Sequence, residues 1–141
     1  MTIVTWQRKH LFGEILDGTM KANDTGLLAK NEWKRLSIRF PDMCKNDFVV
    51  MPEHIHGIII LEPVDEKTRR LGIIIGAYKF TVARLINGLR HTPGAPVWQR
   101  NYCEHIIRNE NEFINIQDYI EENPSRWGEN LMHPNNPSNI P

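Results

Sequence analysis

The chain has 141 residues, no net formal charge and two cysteines, Cys44 and Cys103, which places it at the size of one domain and excludes a disulfide-stapled scaffold. Hydrophobic residues make up 40% and charged residues 24%, so a core can form and disorder of the whole chain is excluded. No run approaches the ~20 apolar residues of a membrane span, and Met1–Trp6 lacks the basic-then-apolar order of a signal peptide; a cytoplasmic chain is expected.

One domain is expected over residues 1–130, followed by a mobile tail over 131–141 that is rich in Pro, Asn and Ser. Ile3–Trp6 reads as a short strand. Asp24 can cap a helix running to about Arg39, with Leu28, Trp33, Leu36 and Phe40 near one side, before Pro41 blocks continuation. Phe48–Met51 and Ile55–Leu61 read as strands separated by Pro52–Glu53. Leu71, Ile74, Ile75, Tyr78, Val82, Leu85, Ile86 and Leu89 follow the i, i+3, i+4, i+7 rule and predict a long amphipathic helix. His91–Pro96 is a loop by its turn residues, Tyr102–Ile107 a strand, and Glu110–Glu122 a helix closed by Pro124. The order β-α-β-β-α-β-α contains the ferredoxin-like βαββαβ pattern: an α+β fold with helices on an antiparallel sheet.

Strand periodicity projects His54 and His56 from one face, side by side, where both imidazoles can bind one divalent ion. That spacing alone also fits structural histidines. Because Ile55, Ile58, Ile59, Ile60 and Leu61 make both faces apolar beyond the pair, this strand should be central and covered on both sides. On the last helix, Tyr119 and Asn123 are i, i+4 neighbours. If their face meets the histidine strand, Asn123 can add an oxygen ligand and the Tyr119 phenol sits beside the metal. The alternative is that Tyr119 flanks the Ile116/Ile120 core stripe and Asn123 ends a helix.

Charge is unevenly spread. Lys67 to Arg108 is basic, and the stretch from Glu110 to Glu129 is acidic. Arg69, Arg70, Lys79, Arg84, Arg100 and Arg108 are candidates for phosphate contact, and Trp98 and Tyr102 for stacking on unpaired bases. Each can equally be a solvated charge or a core aromatic. The zero net charge argues against a sequence-independent nucleic-acid binder.

His54-Ile55-His56, preceded by Val49-Val50-Met51-Pro52-Glu53, resembles the HUH motif (His, hydrophobic, His) of the single-tyrosine transposases. Val97-Trp98-Gln99-Arg100-Asn101-Tyr102, His105-Ile106-Ile107-Arg108, and Asp118-Tyr119-Ile120 with Asn123-Pro124 carry the resemblance further. In order and spacing, from about Thr5 to Trp127, the chain is similar to REP-associated tyrosine transposases and related single-strand-transposing insertion-sequence enzymes. The resemblance implies His54, His56 and Asn123 as ligands of Mg²⁺ or Mn²⁺, and Tyr119 as the nucleophile. It also implies a substrate, hairpin-bearing single-stranded DNA, cleaved and rejoined through a 5′-phosphotyrosine in DNA transposition. The protein would then be nucleoid-associated and act as a monomer or homodimer, with the short Ile107–Phe113 connection favouring a tyrosine helix packed on its own chain. The first strand is short against the family pattern and the net charge is zero. Both motivate an alternative, a domesticated or decayed hairpin-binding protein without catalysis. A further alternative is an unrelated metal-dependent hydrolase or a thiol enzyme using Cys103 and His105. Tyr102 is rejected as nucleophile because no amide or acid stands one helical turn away.

Overall fold

A computed structural model describes residues 1–61, 67–102 and 110–125, apart from the side chains of 44–46 and 67–69. The strand β5 (His54–Leu61) lies between β1 (Thr2–Val4) and β4 (Met43–Met51), and both pairings are antiparallel. Residues 54–58 are all buried, as a central strand covered on both faces requires. The architecture is α+β. The strand predicted at Tyr102–Ile107 falls largely outside the described residues, as do Cys103, His105, Arg108 and the tail.

A small hairpin that periodicity does not reveal links β1 to the first helix. Its strands β2 (Gly13–Leu16) and β3 (Thr19–Ala22) pair around Asp17–Gly18. Both turn residues have positive φ, 52° and 72°, the combination of a two-residue turn whose twist matches the flanking strands. The first helix, α1 (Asp24–Lys34), is capped by Asn23 rather than Asp24: the Asn23 side chain accepts from the Gly26 N–H at 2.9 Å. Asp24 instead occupies the first turn, where its charge suits the helix dipole. The helix also breaks at Arg35, and a short α2 (Leu36–Arg39) follows. Strand β4 begins at Met43, five residues earlier than predicted, with a register shift between Met43 and Lys45.

The long helix α3 (Lys67–Arg90) lays Ile74, Ile75, Tyr78, Val82 and Ile86 into the core; Leu89, at the end of the predicted stripe, is exposed. Trp33 of α1 is fully buried, with its ring 5.2 Å from Tyr78 and 5.6 Å from Phe48. These aromatics cover the β5 face carrying Ile55 and Gly57. The opposite face, with His54 and His56, meets α4 (Glu110–Glu122). Helix α4 is tied to β4 by Gln117, which donates to the Asp47 carboxylate at 2.7 Å.

The Tyr78 hydroxyl donates to the Ala29 carbonyl at 2.8 Å and joins α3 to α1. Burial pushes its pKa well above the ordinary phenol value, so the native chain holds this proton more tightly than the unfolded one. The contribution of this phenol to stability is then level below about pH 10, the ordinary phenol value, and falls as pH rises past it. Tyr78→Phe is expected to lose about 1 kcal/mol at neutral pH with the hydrogen bond and to flatten the alkaline decline. Urea denaturation at neutral and alkaline pH measures both.

Candidate functional site

The antiparallel register places Thr2 opposite His56 and Val4 opposite His54. The two imidazoles, each 2% exposed, stand on one face with ring centroids 6.3 Å apart and planes near perpendicular. Their Nδ1 atoms are engaged within the chain: His54 with Glu53 Oε1 at 3.0 Å, and His56 with Thr2 Oγ1 at 2.7 Å. The Nε2 atoms of both rings are buried.

Helix α4 brings the tyrosine to this pair. The ring of Tyr119 meets that of His56 edge-on at a centroid distance of 5.0 Å. Burial raises the Tyr119 pKa above the ordinary phenol value, and hydrogen bonding by Asn123 pulls it partly back. Asn123 stands one turn further on and is 2% exposed; its Oδ1 is buried with no hydrogen-bond partner among the described residues. A buried amide oxygen with no donor is costly, and a cation is one group that would satisfy it.

Among the described residues, no three His, Cys, Asp or Glu side chains form a cluster that could hold a metal ion. With Asn123 the donor set becomes two imidazoles and an amide oxygen. That chemistry fits a divalent ion with open positions.

Three residues of the site escaped sequence reasoning. Thr2 is identifiable only once the β1–β5 register is known, because 54 positions separate it from His56. Glu53 precedes the histidine pair in the β4–β5 turn and reads there as a turn residue. His10 approaches the Glu53 carboxylate at 3.7 Å from an exposed loop.

The candidates for nucleic-acid contact divide. Arg70 grips Asp42 with two hydrogen bonds of 2.7 Å and lies over the Phe40 ring. The Arg70 guanidinium accordingly holds the Asp42 carboxyl below the usual range. Lys79 donates to the carbonyls of Gln99 and Asn101 at 2.9 Å each, and burial lowers its pKa. Trp98 donates to the Lys79 carbonyl and packs beside Phe12 and Tyr78. Together these contacts fasten residues 97–101 to α3. The Gln99 N–H donates to the Val4 carbonyl of β1 at 2.8 Å, and Thr5, just beyond that strand, forms an antiparallel bridge with Trp98. Tyr102 is half-buried against the core, and its hydroxyl lies near Gly72. Arg84 and Arg100 are exposed. The side chain of Arg69 and all of Arg108 lie outside the described residues. Among the described residues, no helix is long and apolar enough to cross a membrane.

Comparison with known proteins gives a relative that aligns with most of the chain. A Haemophilus influenzae protein named "Uncharacterized protein" is 32% identical over 94% of this chain and 83% of its own length. The chain belongs to that protein's family. A second H. influenzae protein, named "Putative REP-associated tyrosine transposase", is 31% identical over 85 residues, 56% of this chain. The aligned region covers about half (48%) of that relative's length. No protein-family profile matches the chain, and no solved structure matches it.

Proposed function

We propose that this protein is a single-tyrosine transposase that cuts and rejoins hairpin-bearing single-stranded DNA. The observation that carries this reading is the packing of Tyr119 against His56, with the buried Asn123 oxygen one helical turn away. The partial similarity to a protein named as a REP-associated tyrosine transposase supports it. So does the antiparallel β1-β5-β4 arrangement, which suits a ferredoxin-like sheet with the tyrosine helix on its open face.

His54, His56 and Asn123 would hold Mg²⁺ or Mn²⁺. When bound, such an ion polarises the scissile phosphate and offsets charge that develops on its oxygens. The Tyr119 hydroxyl oxygen attacks phosphorus, its proton is lost, and the bond to the 3′ oxygen breaks. The 3′ oxygen leaves as a hydroxyl after taking up a proton, and a 5′-phosphotyrosine remains. One phosphodiester is exchanged for another, so attack by a second 3′-hydroxyl reverses the step with no external energy source. With α4 packed on the sheet of its own chain, a single subunit would supply the whole set of groups.

Burial of Tyr119 to 8% exposure favours a second reading. In that reading the phenol stays packed against His56 and the chain binds hairpins without cutting them. The test is incubation of the full chain with end-labelled hairpin DNA and Mn²⁺. The expected result is a covalent adduct on the 5′ end of the product, abolished by EDTA and mapping by mass spectrometry to the peptide containing Tyr119. An adduct on another residue overturns the proposal. Tight binding with no adduct under any divalent ion supports the second reading instead.

A further inference from the structure

The carboxylate behind His54 is built into the fold from both sides. Glu53 is 6% exposed, and its carbonyl accepts from the Thr5 N–H at 2.9 Å and the Thr5 hydroxyl at 3.1 Å. The chain then passes through Gln7 and Arg8, two successive non-glycine residues in the left-handed region (φ 54° and 53°). Such backbone is costly and persists where surrounding contacts impose it. The turn returns His10 to the same carboxylate, with its Nε2 3.7 Å from Glu53 Oε2 while Oε1 faces His54 Nδ1 at 3.0 Å.

A carboxylate oxygen only accepts hydrogen bonds. The Glu53 contact therefore calls for a proton on His54 Nδ1 and leaves the ring's lone pair on Nε2, the nitrogen buried within the site. His56 differs. Its Nδ1 faces the Thr2 hydroxyl, which rotates to donate or accept and dictates neither tautomer.

We propose that Glu53 is a positioning residue that holds His54 as the Nδ1–H tautomer, keeping Nε2 as a constant lone-pair donor toward a divalent cation. His56, backed by a hydroxyl, is the adaptable member of the pair. This inference rests on the metal reading above for the cation, but the tautomer is a property of the metal-free chain. A carboxylate behind a metal-binding imidazole fixes its orientation and raises its basicity, and its loss weakens metal binding about 10–100-fold.

The experiment is NMR of the full chain labelled with ¹⁵N-histidine, recorded without metal at about pH 8, where an ordinary imidazole is neutral. His54 is expected as the single Nδ1–H form. In Glu53→Gln, whose amide donates as readily as it accepts, a mixture of tautomers is expected. Mn²⁺ titration should show binding about 10–100-fold weaker in Glu53→Gln, partly recovered in Glu53→Asp, with the melting temperature close to that of the unaltered chain. A wild-type His54 protonated on Nε2 overturns the proposal, as does a Glu53→Gln variant that keeps both the single tautomer and full Mn²⁺ affinity. A wild-type chain that binds no Mn²⁺ sinks the metal reading instead. The tautomer comparison then decides the role of Glu53 by itself: loss of the single form in Glu53→Gln supports it, and persistence overturns it.

Discussion

Tyr119→Phe is expected to eliminate the covalent DNA adduct, by at least about a thousandfold, the scale on which removing a nucleophile leaves background chemistry. The substitution deletes one oxygen and keeps the ring that meets His56 edge-on at 5.0 Å. Helix α4 should therefore stay seated, held also by the Gln117–Asp47 hydrogen bond, and hairpin binding in EDTA should be retained. Adduct on denaturing gels and binding by mobility shift separate the two properties. Loss of both would mean that the phenol is structural. In the unaltered chain, burial holds the phenol above its ordinary value of about 10. The adduct rate should accordingly rise with pH between about 7 and 9 rather than level off, because the ionised fraction is still growing there.

The elements that position this site were legible because each carries a strong period. Alternation in β5 put His54 and His56 on one face, and its apolar run required burial on both sides. Eleven residues in α1 and a continuous apolar stripe in α3 were long enough to read. The β2–β3 hairpin was not, since its strands are four residues each and half exposed. The Asp17–Gly18 pair was the available signal. Asn23 and Asp24 are both competent caps, and local backbone geometry chooses between them. Tethers made by Arg70 and Lys79 were illegible for a different reason. A basic residue on a helix has the same pattern whether it meets a phosphate, an Asp42 carboxylate or the carbonyls of Gln99 and Asn101. Thr2 and Glu53 entered the site through register and turn geometry, which no single segment encodes.

The strand that carries the histidines depends on one residue with no side chain. A Cβ on Gly57 would stand 2.7 Å from Trp33 Cζ2, 3.1 Å from Cη2 and 3.2 Å from the Asp47 carbonyl oxygen. None of these can retreat cheaply. Trp33 is fully buried between Phe48 and Tyr78, and the carbonyl belongs to the β4 backbone. Gly57→Ala is therefore expected to cost about 1–3 kcal/mol by overpacking, lowering the melting temperature by roughly 3–4 °C for each kcal/mol in a chain of this size. Gly57→Val should be worse, even though valine favours strands. Trp33→Phe removes the crowding atoms, so adding it to Gly57→Ala should restore part of the loss, a coupling that independent sites do not show. The clash also bears on the chemistry. Gly57 lies between His56 and Ile58, and strain relieved by pushing β5 away from Trp33 drives the His56 ring toward α4 and out of its present edge-on geometry with Tyr119. Adduct formation by Gly57→Ala should fall below the level set by its folded fraction, and thermal denaturation with adduct assays at a temperature where it is fully folded measures this. A variant melting within a degree of the unaltered chain would show that Trp33 yields after all and that the close approach is not a constraint on the site.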